Sequence, residues 1–351
     1  MRVVSVAAAL LLPLSLTVAV AGQDAAGGQA PKPAPQLKQY EPMLGNWEGA
    51  GEVVPGPGAK AVAWTGQATT QWTLGGFFGE ERMRIALGQG TPDVTMHNFY
   101  GFDPETQRFM LYGANSNGEV ERARLSWSDA ATLVGVGTGS HGGQPYAERW
   151  TVRYGKDSME LRVDRAVGDA PFFVHVTARF TRSKTAPAAF SDGGGGQTLT
   201  QAELKPIGAM LGTWKFKGAM IPAPGAPEMA VTGTETVTAA LGGTVIRSHV
   251  QGDAGAGMPG YEGFSYCAWD RNDRCYDAFC LDSMGMVAWM EGRLLPDGAL
   301  VWTESQPQMG QPGAGRVVQT LGPDVMKITC DRLRGVAPVV REFHGEYTRQ
   351  K

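Results

Sequence analysis

Matching sequences 167 residues apart recur along this 351-residue chain, and this duplication constrains the fold more than any other feature. The matched pairs are Leu37-Lys38 and Leu204-Lys205, Met43-Leu44-Gly45-x-Trp47 and Met210-Leu211-Gly212-x-Trp214, Thr65-Gly66 and Thr232-Gly233, Leu74-Gly75-Gly76 and Leu241-Gly242-Gly243, Phe102-Asp103 and Trp269-Asp270, Asp157-x-Met159 and Asp324-x-Met326, and Phe180-Thr181-Arg182 and Tyr347-Thr348-Arg349. One register shared by all these matches indicates two copies of one domain. The period is too long for solenoid repeats or propeller blades, whose units have about 20–50 residues.

The N-terminus has the pattern of a leader and a tether. An apolar run follows Arg2 and ends in Ala19-Val20-Ala21, which is typical of a cleaved secretory signal. The alternative is a membrane anchor, but Pro13 interrupts a run already shorter than the about 20 apolar residues that a span needs. We therefore expect a signal peptide at 1–21, a flexible tether at 22–36, no membrane span after cleavage, and a periplasmic or secreted protein.

Each repeat has the alternation of β-strands. Phe172, Val174, Val176, Ala178 and Phe180 share one face of a strand, with polar residues between them. About ten such strands per repeat, joined by short turns, favour an up-and-down β-barrel because closure removes both sheet edges. A two-sheet sandwich has the same alternation and is the alternative.

We predict an all-β protein of two tandem lipocalin-like barrels. The expected segments are a first barrel at 37–182, a glycine-rich linker at 183–203 and a second barrel at 204–349. Short helices are expected at 37–44 and 202–211, directly before each Gly-x-Trp.

Charge and cysteine usage exclude some partners and suggest one kind of cross-link. The formal charge is −3 and basic residues are scattered, so nucleic acid is not an expected partner. All four cysteines lie in the second repeat: Cys267, Cys275, Cys280 and Cys330. Their spacing is not that of zinc ligands, so no metal is expected, and in an exported protein we expect one or two disulfides with open connectivity.

The Leu-Gly-x-Trp motif resembles the start of lipocalin-like (calycin) barrels. That resemblance implies that Trp47 and Trp214 plug the closed ends beneath the short helices, with Gly45 and Gly212 as structural partners. Three segments resemble, more specifically, a mostly bacterial and often exported family, domain of unknown function number 1579. They are Met43–Gly49, Tyr100–Thr106 and Leu281-Asp282-Ser283-Met284-Gly285. The family has no established reaction, so the resemblance implies a fold and no catalytic residue. The first repeat departs from it at Asn115-Ser116-Asn117-Gly118.

Polar residues in phase with apolar ones are the candidate ligand contacts. A charge inside a barrel is costly unless it is paired or meets water or a ligand. By alternation the candidates are Arg341, Glu81, Glu148, Gln319, Ser248 and Glu235. Arg341 is the leading one, because an arginine can hold a ligand carboxylate by two parallel hydrogen bonds. We therefore expect an acidic first lumen and a basic or neutral second lumen.

No motif of a hydrolase, zinc protease or nucleotide-binding enzyme stands in a suitable context, so catalysis is not expected. The main functional prediction is an exported binding protein that holds a small apolar or amphipathic ligand in one or both barrels. One alternative is a structural or protein-interaction module with plugged barrels. Another is a haem barrel similar to nitrobindins, through His175, but its alternation places it on the polar face and haem is therefore not expected. Oligomeric state and ligand identity stay open.

Overall fold

A computed structural model describes residues 31–88, 90–104, 106–141, 144–187, 198–221, 225–254, 260–305, 313–334 and 338–351. The predicted signal peptide, most of the predicted tether and residues 188–197 of the predicted linker lie outside the described residues. The chain divides into two compact units, one containing Pro33–Gly193 and the other Gly194–Lys351.

The first unit is a closed barrel of ten antiparallel strands in which each strand pairs with its sequence neighbours and the last closes on the first. The strands are β1 (Gly45–Val53), β2 (Val62–Thr73), β3 (Phe78–Ala86), β4 (Val94–Asp103), β5 (Arg108–Asn115), β6 (Glu119–Asp129), β7 (Thr132–His141), β8 (Gln144–Tyr154), β9 (Ser158–Val167) and β10 (Phe173–Ser183).

The second unit is a closed barrel with the same topology. Its strands are β11 (Gly212–Met220), β12 (Met229–Ala240), β13 (Val245–Gly252), β14 (Tyr261–Asp270), β15 (Cys275–Asp282), β16 (Val287–Leu294), β17 (Ala299–Ser305), β18 (Gly313–Leu321), β19 (Val325–Arg334) and β20 (Val340–Arg349). The prediction of two tandem up-and-down barrels is confirmed, and the sandwich alternative is wrong.

The short helices before each Gly-x-Trp form as 3-10 helices, at Pro35–Met43 and Ala202–Met210. Their apolar spacing explains the type. Leu37, Tyr40 and Met43 are buried at intervals of three, which places them on one face of a helix with three residues per turn. An α-helix would rotate this stripe away from the barrel end. A further 3-10 turn follows β2 at Leu74–Gly76, and its counterpart follows β12 at Leu241–Gly243.

The tryptophan of each motif lies directly under its 3-10 helix. Trp47 and Trp214 are buried, and each indole Nε1 donates a 2.8 Å hydrogen bond to the last helical carbonyl, that of Met43 or Met210. The indole thereby satisfies a carbonyl that the helix end leaves without a partner. Helix and first strand are therefore joined at one end of each barrel by the same contact.

An arginine from the last strand completes this closure. The guanidinium of Arg182 lies 4.3 Å from the Trp47 ring centroid and donates to the carbonyl of Leu44. Gly45 makes the approach possible, because its φ of +112° is unfavourable for other residues and a Cβ there would lie 2.6 Å from Arg182 Nη1. Arg349 stacks on Trp214 in the same way in the second barrel, beside Gly212. Three of the repeated sequence matches thus meet in one structure.

Each barrel has a β-bulge at the equivalent place in its last strand. The register shifts at His175 in β10 and at Glu342 in β20, which are 167 residues apart. Both bulged residues accept, through their carbonyls, a 2.8 Å hydrogen bond from the chain just after the first strand of their barrel, Val54 N or Ile221 N. A bulge inverts the alternation of side chains on the residues before it.

The predicted disulfides are wrong. Cys267, Cys275, Cys280 and Cys330 are all buried, and none of them forms a disulfide. No two of them are cross-strand partners in the register, since Cys280 pairs with Ser265 and Ala288, and Cys330 with Val317 and Phe343. Burial raises the pKa of the Cys267, Cys275 and Cys330 thiols above its ordinary value, to about 12 for Cys330, which disfavours their reactive thiolate forms.

Among the residues described, no helix has both the length and the apolarity to cross a bilayer.

Replacing Gly45 by Ala is expected to lower the free energy of unfolding of the first barrel by about 2–4 kcal/mol, from backbone strain and displacement of Arg182. Gly58→Ala is the matched control, because Gly58 also has a positive φ but no atom lies within 4 Å of the added Cβ. Urea titration followed by tryptophan fluorescence would test this difference. Equal losses in the two variants would contradict the role of the arginine.

Candidate functional site

A row of polar residues crosses the lumen of the first barrel. The antiparallel register places Thr70, Glu81, Asn98, Gly113 and Glu121 side by side on β2 to β6. Cross-strand partners share a face, and Thr70 lies in phase with the buried lumen residues of β2. The row is therefore an internal stripe of polar groups.

Glu81 is hydrogen-bonded within this row. Its Oε2 accepts from Asn98 Nδ2 at 2.9 Å and from Tyr100 Oη at 3.0 Å. Burial raises the pKa of Glu81 by more than these two hydrogen bonds lower it, so the pKa lies above its ordinary value. Burial therefore makes the ionised form of Glu81 less favourable than that of an ordinary carboxyl.

Two buried polar atoms beside Glu81 have no hydrogen-bond partner among the described residues: Thr70 Oγ1 and Asn98 Oδ1. Thr70 is 4% exposed and Asn98 7% exposed. An unsatisfied buried polar atom costs about 1–3 kcal/mol, so such atoms usually mark water, an ion or a ligand.

Glu121 faces the free oxygen of Asn98 across a glycine. A Cβ at Gly113 would lie 2.5 Å from Asn98 Oδ1 and 3.0 Å from Glu121 Oε1, so the two oxygens converge over the same glycine. Burial raises the pKa of Glu121 to about 7, with smaller contributions from Glu148 and Glu119. Two acceptors therefore converge with no donor from the described residues between them.

The arginine of this lumen is held by another carboxylate. Arg165 on β9 forms an ion pair with Glu148 on β8, its direct cross-strand partner, and lies 4.8 Å from the Tyr146 ring centroid. Glu148 also accepts a 2.9 Å hydrogen bond from Trp150 Nε1. At the start of β6, Glu119 accepts a 3.0 Å hydrogen bond from Asn115 Nδ2.

The equivalent row of the second barrel has no carboxylate. Its members are Val237, Ser248, Ser265, Cys280 and Ala288, in the same register on β12 to β16. Ala288 therefore occupies the place of Glu121, and Cys280 the place of Gly113. The second lumen lacks the convergent pair of acceptors.

The remaining candidates of the second lumen bind one another. Ser248 Oγ donates to Glu235 Oε1, and both residues are buried. Gln319 Oε1 accepts a 2.8 Å hydrogen bond from Trp302 Nε1. Burial raises the pKa of Glu235 to about 7. These groups stabilise a packed interior and leave no free acceptor of the kind found at Asn98.

Arg332 is the arginine of the second lumen. It is 5% exposed, lies 3.0 Å from Glu304 Oε2, and its Nε lies 3.1 Å from Glu342 Oε2. Two carboxylates therefore flank one guanidinium. The sequence predicted a basic or neutral second lumen on the basis of Arg341, and the prediction of a basic lumen is wrong. Arg332 is equivalent by the 167-residue offset to Arg165.

The carboxylate partner of this arginine has changed strands between the repeats. In the first barrel Glu148 on β8 lies opposite Gly137 on β7, and in the second Glu304 on β17 lies opposite Gly315 on β18. A Cβ at Gly315 would lie 3.0 Å from Glu304 Oε2, so the glycine makes room for the carboxylate opposite. Both barrels therefore keep the arginine–glutamate ion pair, but the glutamate comes from a different strand in each.

Arg341, the leading sequence candidate, lies outside the lumen. Its side chain is 45% exposed and pairs with Asp331 on β19. The predicted inward orientation is wrong because the bulge at Glu342 inverts the alternation between Val339 and Phe343. Glu342 itself, 16% exposed in its side chain, contacts Arg332 instead.

His175 lies at the bulge of β10. Its Nδ1 is 2.7 Å from the carbonyl oxygen of Val54. Among the described residues no group of three or more His, Cys, Asp or Glu side chains is placed to hold a metal ion.

The Asp-Ser-Met-Gly segment of the second repeat is a turn between β15 and β16. Asp282 Oδ1 accepts from Met284 N and Met286 N, both at 2.9 Å, and Ser283 Oγ accepts from Glu262 N at 3.0 Å. The first repeat uses Asn115 and Ser116 for the same purpose, with Asn117 N and Thr95 N as the donors at 3.0 Å. The departure from the family pattern at this segment therefore leaves the turn intact.

The apolar walls of the two lumens differ in how well they are filled. Met83, Trp150, Leu161 and Val176 of the first barrel are partly exposed. Their equivalents in the second barrel are all buried, at 4% exposure or less: Val250, Val317, Ile328 and Phe343. The exchanged tryptophans show the same difference, because Trp302 is fully buried in the second barrel whereas Trp150 is partly exposed in the first. The first lumen is thus the more open one.

Proteins of unknown function grouped as DUF1579 match residues 32–117 and 200–337, more than half of the chain and part of each barrel. The chain belongs to the DUF1579 family. No curated protein matches the sequence significantly.

Solved structures resemble this DUF1579 protein distantly. Rv2717c from M. tuberculosis is 17% identical, covers 44% of this chain and 100% of its own, and has a TM-score of 0.34. A protein of unknown function from Nostoc punctiforme, of the DUF3598 family, is 13% identical over 90% of this chain and 100% of its own, with a TM-score of 0.26. A putative outer membrane protein from Bacteroides fragilis is 10% identical over 89% and 99%, with a TM-score of 0.22. Likenesses this distant carry no information about activity.

Sequence reasoning missed Asn98, Glu121, Arg165 and Arg332. Glu121 alternates in phase with Ala123, Leu125 and Trp127, and this pattern could have placed it in the lumen. The identity of Arg165 and Arg332 under the 167-residue offset was also available. Asn98 had no such signal, because only the register brings it beside Gly113 and Glu121.

Because the glutamate and the glycine opposite it have exchanged strands between the barrels, we expect a second substitution to compensate for the loss of Glu148. Glu148→Gly leaves Arg165 largely buried without its carboxylate and is expected to cost about 3–5 kcal/mol. Adding Gly137→Glu rebuilds the arrangement of the second barrel and should restore about half of that loss. The four species form a double-mutant cycle measured by urea unfolding, with expected coupling of about 2 kcal/mol. A double variant no more stable than Glu148→Gly would contradict the exchange.

Glu235 predicts a pH-dependent stability. Its folded pKa lies above its unfolded value, so the folded protein holds a proton that the unfolded chain loses between about pH 4.5 and 7. Stability is therefore expected to fall as pH rises through this range, by about 1.4 kcal/mol for each unit of the shift. Glu235→Gln should flatten the fall in thermal unfolding scans from pH 5 to 8, whereas replacing the exposed Glu41 by Gln should not. An unchanged slope in Glu235→Gln would refute the assignment.

Proposed function

We propose that this DUF1579 protein is exported and holds a small amphipathic molecule in the lumen of its first barrel, without catalysing a reaction. The observation that supports binding is the difference between the two lumens. At four equivalent wall positions the first barrel leaves apolar side chains partly exposed and the second buries them. Because partly exposed apolar side chains lack full burial and dispersion contacts, an apolar occupant that covered them would be stabilised there.

The distribution of polar groups favours an amphipathic occupant over a purely apolar one. Tyr40, Trp47 and Phe180 close one end with an apolar surface. The row containing Asn98 and Glu121 leads from this apolar region toward the other end, where β5 turns into β6 at Asn115. A ligand with an apolar body and one polar head would match both parts, as ligand pockets combine apolar walls with a few placed polar groups.

The second barrel fits the alternative of a plugged structural module. Trp214, Trp302, Phe343 and Tyr347 are each at most 1% exposed and belong to one continuous core cluster. Its lumen arginine, Arg332, forms ion pairs with two glutamates, Glu304 and Glu342. We infer that the second barrel contributes stability or a surface, and that binding is a property of the first.

Export rests on the sequence pattern at residues 1–21. Expression of the full chain in a bacterial host, followed by fractionation and N-terminal mass analysis, would test it. Processing near Gly22 with recovery outside the cytoplasm supports export, and an intact N-terminus in the cytoplasm contradicts it.

Filling the first lumen should weaken binding. Val176→Phe introduces the residue that occupies the equivalent position in the second barrel, Phe343. A neutral solvatochromic dye, Nile red, is expected to bind the wild-type protein and to lose about tenfold or more in affinity for Val176→Phe. Fluorescence titration measures both.

Arg341→Ala is the matched control, because Arg341 lies on the outer surface and its loss should leave dye affinity unchanged. Circular dichroism would show that both variants are folded. Equal dye affinity in wild type and Val176→Phe would rule out the first lumen as the binding site. Reduced affinity in Arg341→Ala would point to an external surface instead.

A further inference from the structure

We propose that the head group held in the first barrel is a cation with N–H donors, an ammonium or amidinium, bound between Asn98 Oδ1 and the carboxylate of Glu121. This inference rests on the proposed function and specifies the chemistry of its ligand.

The geometry requires a donor. Both oxygens lie within 3.0 Å of the position of a Cβ on Gly113, and glycine leaves that position free. A nitrogen slightly further into the lumen would reach both oxygens at the about 2.7–2.9 Å of a charge-assisted hydrogen bond. A hydroxyl has one proton and could satisfy one of the two acceptors. An ammonium has several and can satisfy both at once.

The charge of the lumen favours a cation. Arg165 is committed to Glu148 and stacks on Tyr146, so it neutralises one carboxylate. Glu119 receives a neutral amide hydrogen bond from Asn115, and no hydrogen bond or ion pair from the described residues reaches Glu121. These two carboxylates share one face of β6, and neither forms an ion pair with a described residue; Arg165 lowers the pKa of Glu121 less than burial raises it. Carboxylates this close repel each other unless one is protonated or a cation intervenes.

The second barrel provides an internal comparison. Ala288 replaces Glu121 and Ser265 replaces Asn98, while the arginine of the pair is kept. The ion pair is therefore common to both barrels, and the convergent acceptors are found in the more open lumen. Because only the first barrel has the acceptors Asn98 and Glu121, they are not part of the ion pair that stabilises both barrels.

The test compares three ligands with the same alkyl chain and different heads: decylammonium, 1-decanol and decanoate. Each displaces Nile red from the full chain at pH 8. Decylammonium is expected to bind about tenfold more tightly than decanol, and decanoate more weakly than decanol. Glu121→Ala, which copies the second barrel, should remove the advantage of the amine and leave decanol binding unchanged.

A second variant and a control show whether a loss of preference comes from the missing carboxylate or from a misfolded protein. Glu121→Gln keeps the shape of the side chain and should also lose the preference for the amine. Glu235→Gln removes a buried carboxyl from the other lumen and should retain the full preference. If all three heads bind equally, or if Glu121→Ala keeps the preference for the amine, the cation assignment is overturned and the lumen site stands. If no alkyl ligand and no dye binds, the proposed function itself fails.

The pH dependence gives an independent readout. Decylammonium stays charged from pH 6 to 8, whereas burial raises the pKa of Glu121 to about 7. The charged and titratable groups facing Glu121 are Glu119, Glu148, Tyr146 and Arg165. Amine affinity should therefore rise from pH 6 to pH 8 in the wild type and stay level in Glu121→Gln, with decanol affinity level in both. A fall in amine affinity over this range would contradict the proposal.

Discussion

The pairing of the last strand with the first governs the rest of each barrel. Once β10 pairs with β1, every strand has two fixed neighbours and the register of the whole sheet is determined. Because side chains alternate with a period of two, this register decides which residues face the lumen and which of them meet across strands. The row from Thr70 to Glu121 is a product of that register. Its members lie on five different strands, β2 to β6.

Closure at the ends depends on a contact that both repeats preserve in full. The 3-10 helix, the tryptophan and the arginine of the last strand form one unit around a glycine with positive φ. This explains why the best-matched segments of the two halves are at their beginnings and ends. The middle strands carry no such constraint, and there the repeats have diverged.

Divergence has taken the form of exchanges across a strand pair. A glutamate and the glycine opposite have traded places between the repeats, and so have a tryptophan and a small residue. Thus Trp150 faces Gly135 in the first barrel and Trp302 faces Val317 in the second. The volume and charge at a given place in the lumen depend on the two residues that lie opposite each other on neighbouring strands. Packing is therefore maintained whichever of the two strands carries the larger residue. The consequence is two barrels of the same backbone with differently filled interiors.

The sequence by itself determined the duplication, the β-barrel class, the strand number and the position of the closing helices, because these follow from a repeat offset and from period-two alternation. It also placed Glu81, Glu148, Glu235, Ser248 and Gln319 in the lumens, where the alternation is unbroken. It misplaced Arg341, since one extra residue in β20 inverts the alternation and leaves no mark in composition. Tertiary structure alone decided that Asn98 and Glu121 converge over Gly113 and that the four thiols do not pair. Those contacts join residues on different strands, and their distances follow from the closed register rather than from any spacing along the chain.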